Sequence, residues 1–233
     1  MRSLYYRRRT DRARGTAANS PTMKGIVSIL LLMTMSGPAG AGEDRIDLVS
    51  ADKDHIRHIK RISAVPVVNE KYEYYEVRAN NEKDLRCQLT DHGCRWNDGK
   101  KYDSVTSWYV TWDYGYTRTP RGCSAESFKA TVDITFRFPK WVRTDDAPQT
   151  MVDKWDAYMK SLVMHENGHR DMAVSAAAEL YREVASLRPA PSCADIDREV
   201  KLLCRERMER LNQEQKDYDA TTVHGATQGA KFP

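Results

Sequence analysis

Residues 151–180 read MVDKWDAYMKSLVMHENGHRDMAVSAAAEL, and their apolar side chains recur every three or four positions. This spacing predicts an α-helix, because residues three and four apart lie on the same side of a helix. The pattern continues to about Leu187, where RPAPS (188–192) contains two prolines that stop a helix. We therefore predict one long helix from Pro148 to about Leu187.

The flanking segments predict a second helix and a small sheet. Residues 193–219 carry an apolar stripe at helical spacing, which predicts the second helix. Residues 104–116 and 128–139 alternate apolar and polar side chains, as strands with one covered face do. A short strand at 71–79 and a short helix at 81–89 precede them. The predicted fold class is α+β: a small antiparallel sheet followed by two long helices.

The first 41 residues have the features of a leader. Residues 23–41 contain a short charged start, an apolar run too short to span a membrane, and an Ala-Gly-Ala cleavage sequence. They predict a signal peptide, with an uncleaved anchor as the alternative. Residues 1–22 are either a long basic extension or, preferably, the product of a start codon assigned too far upstream. We expect an exported chain, periplasmic or secreted, that begins at Gly42 with an irregular arm (42–64) and continues as one domain (65–233).

The distribution of charge argues against a nucleic-acid partner. The chain has a formal net charge of +4, but six arginines and one aspartate precede Met23. From Gly42 onward the net charge is −2. A protein that binds nucleic acid is expected to carry its positive charge on the folded domain. We therefore expect no nucleic-acid partner.

Five cysteines lie in the predicted domain, and export would permit disulfides there. No C-x-x-C pair occurs, which argues against a zinc–thiolate site or a thioredoxin-like function. Cys87 and Cys94 flank a turn and are one candidate pair. Cys123 and Cys193 are the other, which leaves Cys204 free. Cys193 and Cys204 cannot pair, because eleven helical residues separate them by about 16 Å.

The first long helix contains the sequence His165-Glu166-Asn167-Gly168-His169, an H-E-x-x-H motif. Its two histidines project from one face of the helix, one turn apart, and can bind one Zn²⁺ ion. Glu166 points about 100° further round, where it can act as general base toward a water molecule that zinc activates. Gly168 in mid-helix indicates tight packing against another helix, room for the metal site, or both.

The third zinc ligand is expected from beyond the proline-containing break. Glu179 and Glu183 lie on the same helix, roughly 15 and 21 Å from His169, so they cannot reach the ion. An antiparallel return helix comes level with the motif near residues 211–218. His224 is the preferred ligand, because neighbouring glycines let the tail fold back. The alternatives are three carboxylates of the return helix: Glu214, Asp217 and Asp219.

Other polar residues carry weaker expectations. Tyr218 is either a stabiliser of a tetrahedral oxyanion beside the metal or a helix-packing residue. His55, His58 and His92 are expected at the solvated surface. One edge of the sheet would hold an extended peptide substrate.

Five blocks of the sequence, taken together and in their order, resemble a known family. They are YEYYEVRANNEKDLRCQL, GKKYDSVTSWYVTWDY, CSAESFKATVDITFRFPKW, HENGHRDMA and YDATTVHGATQGA, and they are spread over roughly residues 65–230. They resemble a bacterial family catalogued as a domain of unknown function, whose members are described as predicted secreted zinc-dependent proteases. The resemblance implies a zincin-like metallopeptidase with His165 and His169 as ligands, Glu166 as base and His224 in the matching tail block. The Cys87–Cys94 pair departs from the family's usual turn.

These observations predict an exported zinc metallopeptidase with Zn²⁺ as cofactor and a peptide or protein as substrate. One alternative is a binding or assembly module of the cell envelope in which zinc is structural. A fourth protein ligand would favour that module, and an open coordination position would count against it. The other alternative is an amidase that cleaves peptidoglycan peptides, which would use the same chemistry.

Overall fold

The structure, a computed structural model, describes residues 65–96 and 98–233. The predicted leader (1–41) and arm (42–64), which includes His55 and His58, lie outside these described residues. Among the helices within the described ranges, none combines the length and the apolar character that crossing a membrane requires.

The part of the chain that the structure describes contains five strands, which form two sheets. In chain order they are β1 (Val67–Val77), β2 (Cys94–Arg95), β3 (Lys101–Tyr102), β4 (Val105–Thr119) and β5 (Gly122–Trp141). The main sheet has the order β1–β5–β4, and β2 pairs with β3 as a small hairpin. β4 and β5 are antiparallel, as predicted, and both extend beyond the predicted strands to a tight turn at residues 120–121.

β1 differs from the antiparallel arrangement that we predicted for the sheet. It pairs with β5 in parallel, in register from Val67 opposite Thr131 to Val77 opposite Trp141. Parallel neighbours need a crossover connection, and the chain between β1 and β4 supplies one through a helix and the β2–β3 hairpin. The sheet is therefore mixed, and the α+β class is confirmed.

Three α-helices lie within the described residues, close to the positions that the sequence predicts. They are α1 (Glu82–His92), α2 (Gln149–Ala185) and α3 (Cys193–Thr222). The side chain of Asn81 accepts a hydrogen bond from the backbone N–H of Asp84 and caps α1. Ser192 caps α3 in the same way through Asp195. The stop after α2 and the cap before α3 turn the chain back toward the H-E-x-x-H motif.

The core lies between one face of the main sheet and α2. On β5 the inward residues Val132, Ile134 and Phe136 are at most 2% exposed. α2 contributes fully buried alanines and Leu180. The small alanine side chains let the helix approach the sheet closely. Burial of one large apolar side chain stabilises the fold by about 1.5–3 kcal/mol. α2 is therefore fixed on the sheet along its length, which gives the motif a rigid support.

A buried arginine joins the two long helices. Arg207 of α3 is 3% exposed and donates a hydrogen bond of 2.7 Å to Glu179 of α2. It also bonds both carboxylate oxygens of Glu214. The carboxylates of Glu179 and Glu214 therefore balance the charge of the buried arginine.

One of the two predicted disulfides is present. Cys123 at the start of β5 bonds Cys193 at the start of α3, with Cα atoms 4.9 Å apart. Cys204 is free, as predicted. The predicted Cys87–Cys94 pair was wrong, since both residues are free. Cys87 lies on α1 opposite its buried face, and the helix carries the chain roughly 7.5 Å further before it ends at His92.

Candidate metal centre

The three functional residues of the H-E-x-x-H motif are buried on one side of α2. His165 and Glu166 are each 3% exposed, and His169 is 8% exposed. All three line a cavity of about 800 Å³ that is also bordered by β3, β4 and α3. Buried polar groups of this kind require partners, and the neighbouring elements supply them.

Asp219, near the end of α3, completes a group of three possible metal ligands. The Nε2 atoms of His165 and His169 are 3.3 Å apart. The Oδ1 atom of Asp219 lies 3.3 Å from the first nitrogen and 3.1 Å from the second. Two imidazole nitrogens and a carboxylate oxygen are ligands that Zn²⁺ commonly takes in proteins. The residue types and their convergence fit a zinc ion.

His224, our preferred third ligand, lies outside this three-residue group. Its side chain is about half exposed, and its Nδ1 is 3.5 Å from Oδ1 of Asp219. Val223 and His224 both adopt positive φ angles, of 52° and 50°, and Gly225 follows with 79°. The tail does fold back, but this left-handed turn brings Gly225 against the His165 ring, where a Cβ would lie 2.9 Å from Cγ. The geometry therefore favours Asp219, one of the three carboxylates weighed from the sequence.

Two glutamines orient the histidine rings. The amide nitrogen of Gln215 donates to the backbone carbonyl of His169 at 2.9 Å, which turns its Oε1 toward Nδ1 of the same residue. Gln228 places its Oε1 2.9 Å from Nδ1 of His165. An amide oxygen only accepts, so each Nδ1 carries a proton, and a neutral ring would offer its Nε2 lone pair to a metal ion. Such outer partners fix ring orientation in metal sites.

The electrostatics of the group suit a cation. Burial raises the pKa of the Asp219 carboxyl, but hydrogen bonds from His165 and His169 outweigh burial and hold this pKa well below its usual range. Burial lowers the pKa of His169, whereas the hydrogen bond to Asp219 and the charge of Glu166 raise it above its ordinary value. Positive charge is thus stabilised where the three ligand atoms meet, and a divalent cation would replace the proton there.

Glu166 is held by two hydroxyl groups of the neighbouring strand. Ser104, just before β4, donates to Oε1 at 2.5 Å, and Thr106 of β4 donates to Oε2 at 2.6 Å. Each carboxylate oxygen can accept two hydrogen bonds, so each keeps one further site. Since Glu166 also lines the cavity, its carboxylate remains able to act on a bound water molecule.

Comparison with protein families confirms the resemblance to a bacterial family of unknown function. Residues 72–225 match the family described as Bacterial protein of unknown function (DUF922). The chain belongs to this family. The matched part of the DUF922 chain contains the whole group of His165, His169 and Asp219, together with Glu166. No curated protein and no solved structure matches the sequence.

Tyr218 of the DUF922 chain packs against α2. Its ring stacks on His165 with centroids 4.9 Å apart, and its hydroxyl donates to the backbone carbonyl of His165 at 3.3 Å. A Cβ at Gly168 would clash with the Tyr218 ring, which explains the glycine in mid-helix. Tyr218 is therefore placed in the packing role that we weighed against oxyanion stabilisation, and Gly168 brings the helix that bears Asp219 close to the motif.

The remaining predicted residues of the DUF922 chain lie away from the metal group. Asp217 accepts a hydrogen bond of 2.7 Å from Gln213 on the exposed side of α3. Glu183 pairs with Arg210. His92 is exposed, as predicted.

Sequence reasoning missed Gln215, Gln228, Ser104 and Thr106. For Thr106 a signal was present: it shares its side of β4 with Trp108 and Val110, so a polar side chain stands at an inward position. Gln215 likewise occupies an inward position of the return helix, four residues after the apolar Leu211. Ser104 carries the same signal, because it lies two residues before Thr106 in the predicted 104–116 strand. No comparable pattern marks Gln228, which lies in a 3-10 helix of three residues, Ala226–Gln228.

Proposed function

We propose that this chain is a zinc-dependent metallopeptidase. The observation that carries the proposal is the convergence of His165 Nε2, His169 Nε2 and Asp219 Oδ1 at the wall of a cavity, with the Glu166 carboxylate beside them. Catalytic zinc sites have three protein ligands and leave a fourth position to water or substrate, whereas structural sites use four protein ligands. A group of three ligands beside an open cavity supports an enzyme over a structural zinc site.

The residues divide the chemistry between them. Zinc held by His165, His169 and Asp219 would polarise a peptide carbonyl and lower the pKa of a water molecule. Glu166 takes the proton from that water as it attacks the carbonyl carbon. It then gives the proton to the leaving amine, so one carboxylate serves as base and as acid.

The position of β4 supports an extended peptide as substrate. β4 is an edge strand of the main sheet, and its first residues line the cavity beside the motif. A peptide that adds to this edge as a further strand would pass the metal group with its backbone held by main-chain hydrogen bonds. Peptides of the cell wall would meet the same geometry, so the amidase alternative remains a variant of this proposal.

We also propose that the chain is exported. The Cys123–Cys193 disulfide supports this, because disulfides persist in secreted and periplasmic compartments and are rare in the cytosol. The predicted signal peptide at 23–41 is consistent with export. Isolation of the chain from periplasm or medium, with Gly42 at its amino terminus, is the expected result; recovery of an intact leader from the cytosol would contradict it.

The catalytic role is tested by separating metal binding from hydrolysis. Glu166→Gln keeps a side chain of the same shape and removes the base, so zinc content should stay at wild-type level. Cleavage of a peptide library should fall by about 100-fold or more. Asp171→Asn, an exposed residue later on α2, is the matched control and should leave both unchanged. Full hydrolysis by Glu166→Gln would overturn its assignment as base.

A further inference from the structure

We propose that Ser104 and Thr106 are positioning residues that fix the Glu166 carboxylate beside the metal group. The kinetic consequence of this inference rests on the proposed function. The position of the Glu166 carboxylate does not depend on that function. Neither residue belongs to the H-E-x-x-H motif: Ser104 immediately precedes β4, and Thr106 lies within it.

Both carboxylate oxygens of Glu166 accept a hydrogen bond from a buried hydroxyl group. Ser104 is 6% exposed and Thr106 is 7% exposed, and each hydroxyl donates to a different carboxylate oxygen. The Thr106 hydroxyl is also 3.2 Å from the backbone carbonyl of Glu166. β4 is thus tied to the main chain and to the side chain of the same residue, which fixes both the helix and its carboxylate.

The segment that bears the two hydroxyls is itself anchored. Asp103, which precedes Ser104, accepts hydrogen bonds of 2.7 and 2.5 Å from Arg86 of α1. It accepts a third, of 2.8 Å, from the hydroxyl of Tyr158 on α2. Its backbone carbonyl accepts another from Tyr75 of β1. Three elements therefore hold the start of β4 in place before it reaches Glu166.

The consequence concerns the precision of proton transfer. A glutamate side chain has three rotatable bonds, and a base contributes only when it lies within hydrogen-bond reach of its proton. Without the hydroxyl donors, Glu166 would rotate among several conformers inside the cavity. Misplacement by about 1 Å costs about 100-fold in rate. Substrate binding depends on other groups, so the loss should appear in kcat with little change in KM.

The first test observes the carboxylate directly. We would determine the crystal structure of the Ser104→Ala/Thr106→Val variant beside the wild type. The expected result is a Glu166 side chain that leaves its wild-type conformer while His165, His169 and Asp219 keep theirs. A Glu166 carboxylate that stays in place would overturn the positioning role, whether or not the protein hydrolyses peptides.

The second test measures kinetics on a peptide that the wild type cleaves. Thr106→Val should bind zinc normally and lower kcat by roughly 10- to 100-fold. Thr106→Ser restores the hydroxyl and should restore most of kcat, which a loss of packing would not allow. Thr111→Val, on the same strand but away from the cavity, is the control. Unchanged kcat in Thr106→Val, or a loss that Thr106→Ser does not rescue, would contradict the inference.

These outcomes separate the inference from the proposed function. If the wild type hydrolyses no peptide, the metallopeptidase proposal fails, and the crystal structure still decides whether the hydroxyls position Glu166. If the wild type is active and Glu166→Gln is inactive, but Thr106→Val is fully active with an unmoved carboxylate, the inference alone fails.

Discussion

At the scale of single residues, the candidate metal centre depends on which nitrogen of each histidine faces Asp219. Gln215 and Gln228 accept from the Nδ1 protons, so the two Nε2 atoms face the carboxylate and would offer their lone pairs to a metal ion. The H-E-x-x-H spacing predicts that the two rings share a face of the helix. The spacing says nothing about ring orientation. The side-chain amides of Gln215 and Gln228 set it, and they lie 46 and 63 positions after the histidines that they contact.

Replacement of one of these glutamines should weaken zinc binding. Gln215→Leu leaves the Nδ1 proton of His169 without an acceptor, and loss of such a partner typically costs 10- to 100-fold in metal affinity. Competition with a chelator of known zinc affinity measures the change. Gln213→Leu is the matched control, since Gln213 lies on the exposed side of the same helix. Equal affinities for Gln215→Leu and the wild type would contradict the role assigned to the amide.

Replacement of Gly168 by alanine should destabilise the protein, although helix propensity alone would predict stabilisation. Alanine in mid-helix ordinarily stabilises by about 1 kcal/mol relative to glycine. Here the added Cβ would clash with the ring of Tyr218, so Gly168→Ala should lower the free energy of unfolding by about 1–3 kcal/mol. Denaturant titration measures it. Ser175→Ala, at an exposed position of α2, should be neutral or stabilising. A stabilised Gly168→Ala variant would mean that α3 does not approach this closely.

At the scale of elements, regular periods were predicted well and irregular turns were not. The apolar spacing located α2 and α3, and the alternation located β4 and β5. The tail after α3 has no period, and two successive left-handed residues, Val223 and His224, redirect it. This is why the sequence led us to prefer His224 and to place Asp219 only among the alternatives. The Cys87–Cys94 pair was wrong for a related reason: α1 extends three residues beyond its predicted end.

The disulfide between β5 and α3 should matter for stability. It links residues 70 positions apart, and the chain-entropy relation gives a stabilisation of about 4 kcal/mol for a loop of that length. Cys123→Ser/Cys193→Ser should therefore unfold at a markedly lower denaturant concentration. Cys87→Ser removes an exposed, free cysteine and is the control. If the double variant matched the wild type in unfolding, the disulfide would not be what holds the start of α3 against the sheet.

At the scale of the whole molecule, the candidate site is assembled from distant parts of the chain. α2 supplies the two histidines and Glu166, α3 supplies Asp219, and the start of β4, with Ser104 just before it, supplies the hydroxyl donors. The sequence could predict the ligand-bearing helix and the return of α3, since both follow from helix length and a proline break. It could not predict the parallel pairing of β1, because alternation defines a strand's faces and not its neighbour's direction. It could not predict the hydrogen bonds from Ser104 and Thr106 to Glu166 either, because alternation does not show which element packs on a strand.

The most direct test of the central claim is the zinc content of the purified chain, measured by elemental analysis for the wild type, Asp219→Ala and His224→Ala. We predict about one zinc per chain in the wild type and in His224→Ala, and loss of zinc in Asp219→Ala. A metal-free wild type after gentle purification at neutral pH would contradict the metal centre. Zinc retained by Asp219→Ala and lost by His224→Ala would contradict the ligand set and return the third position to His224.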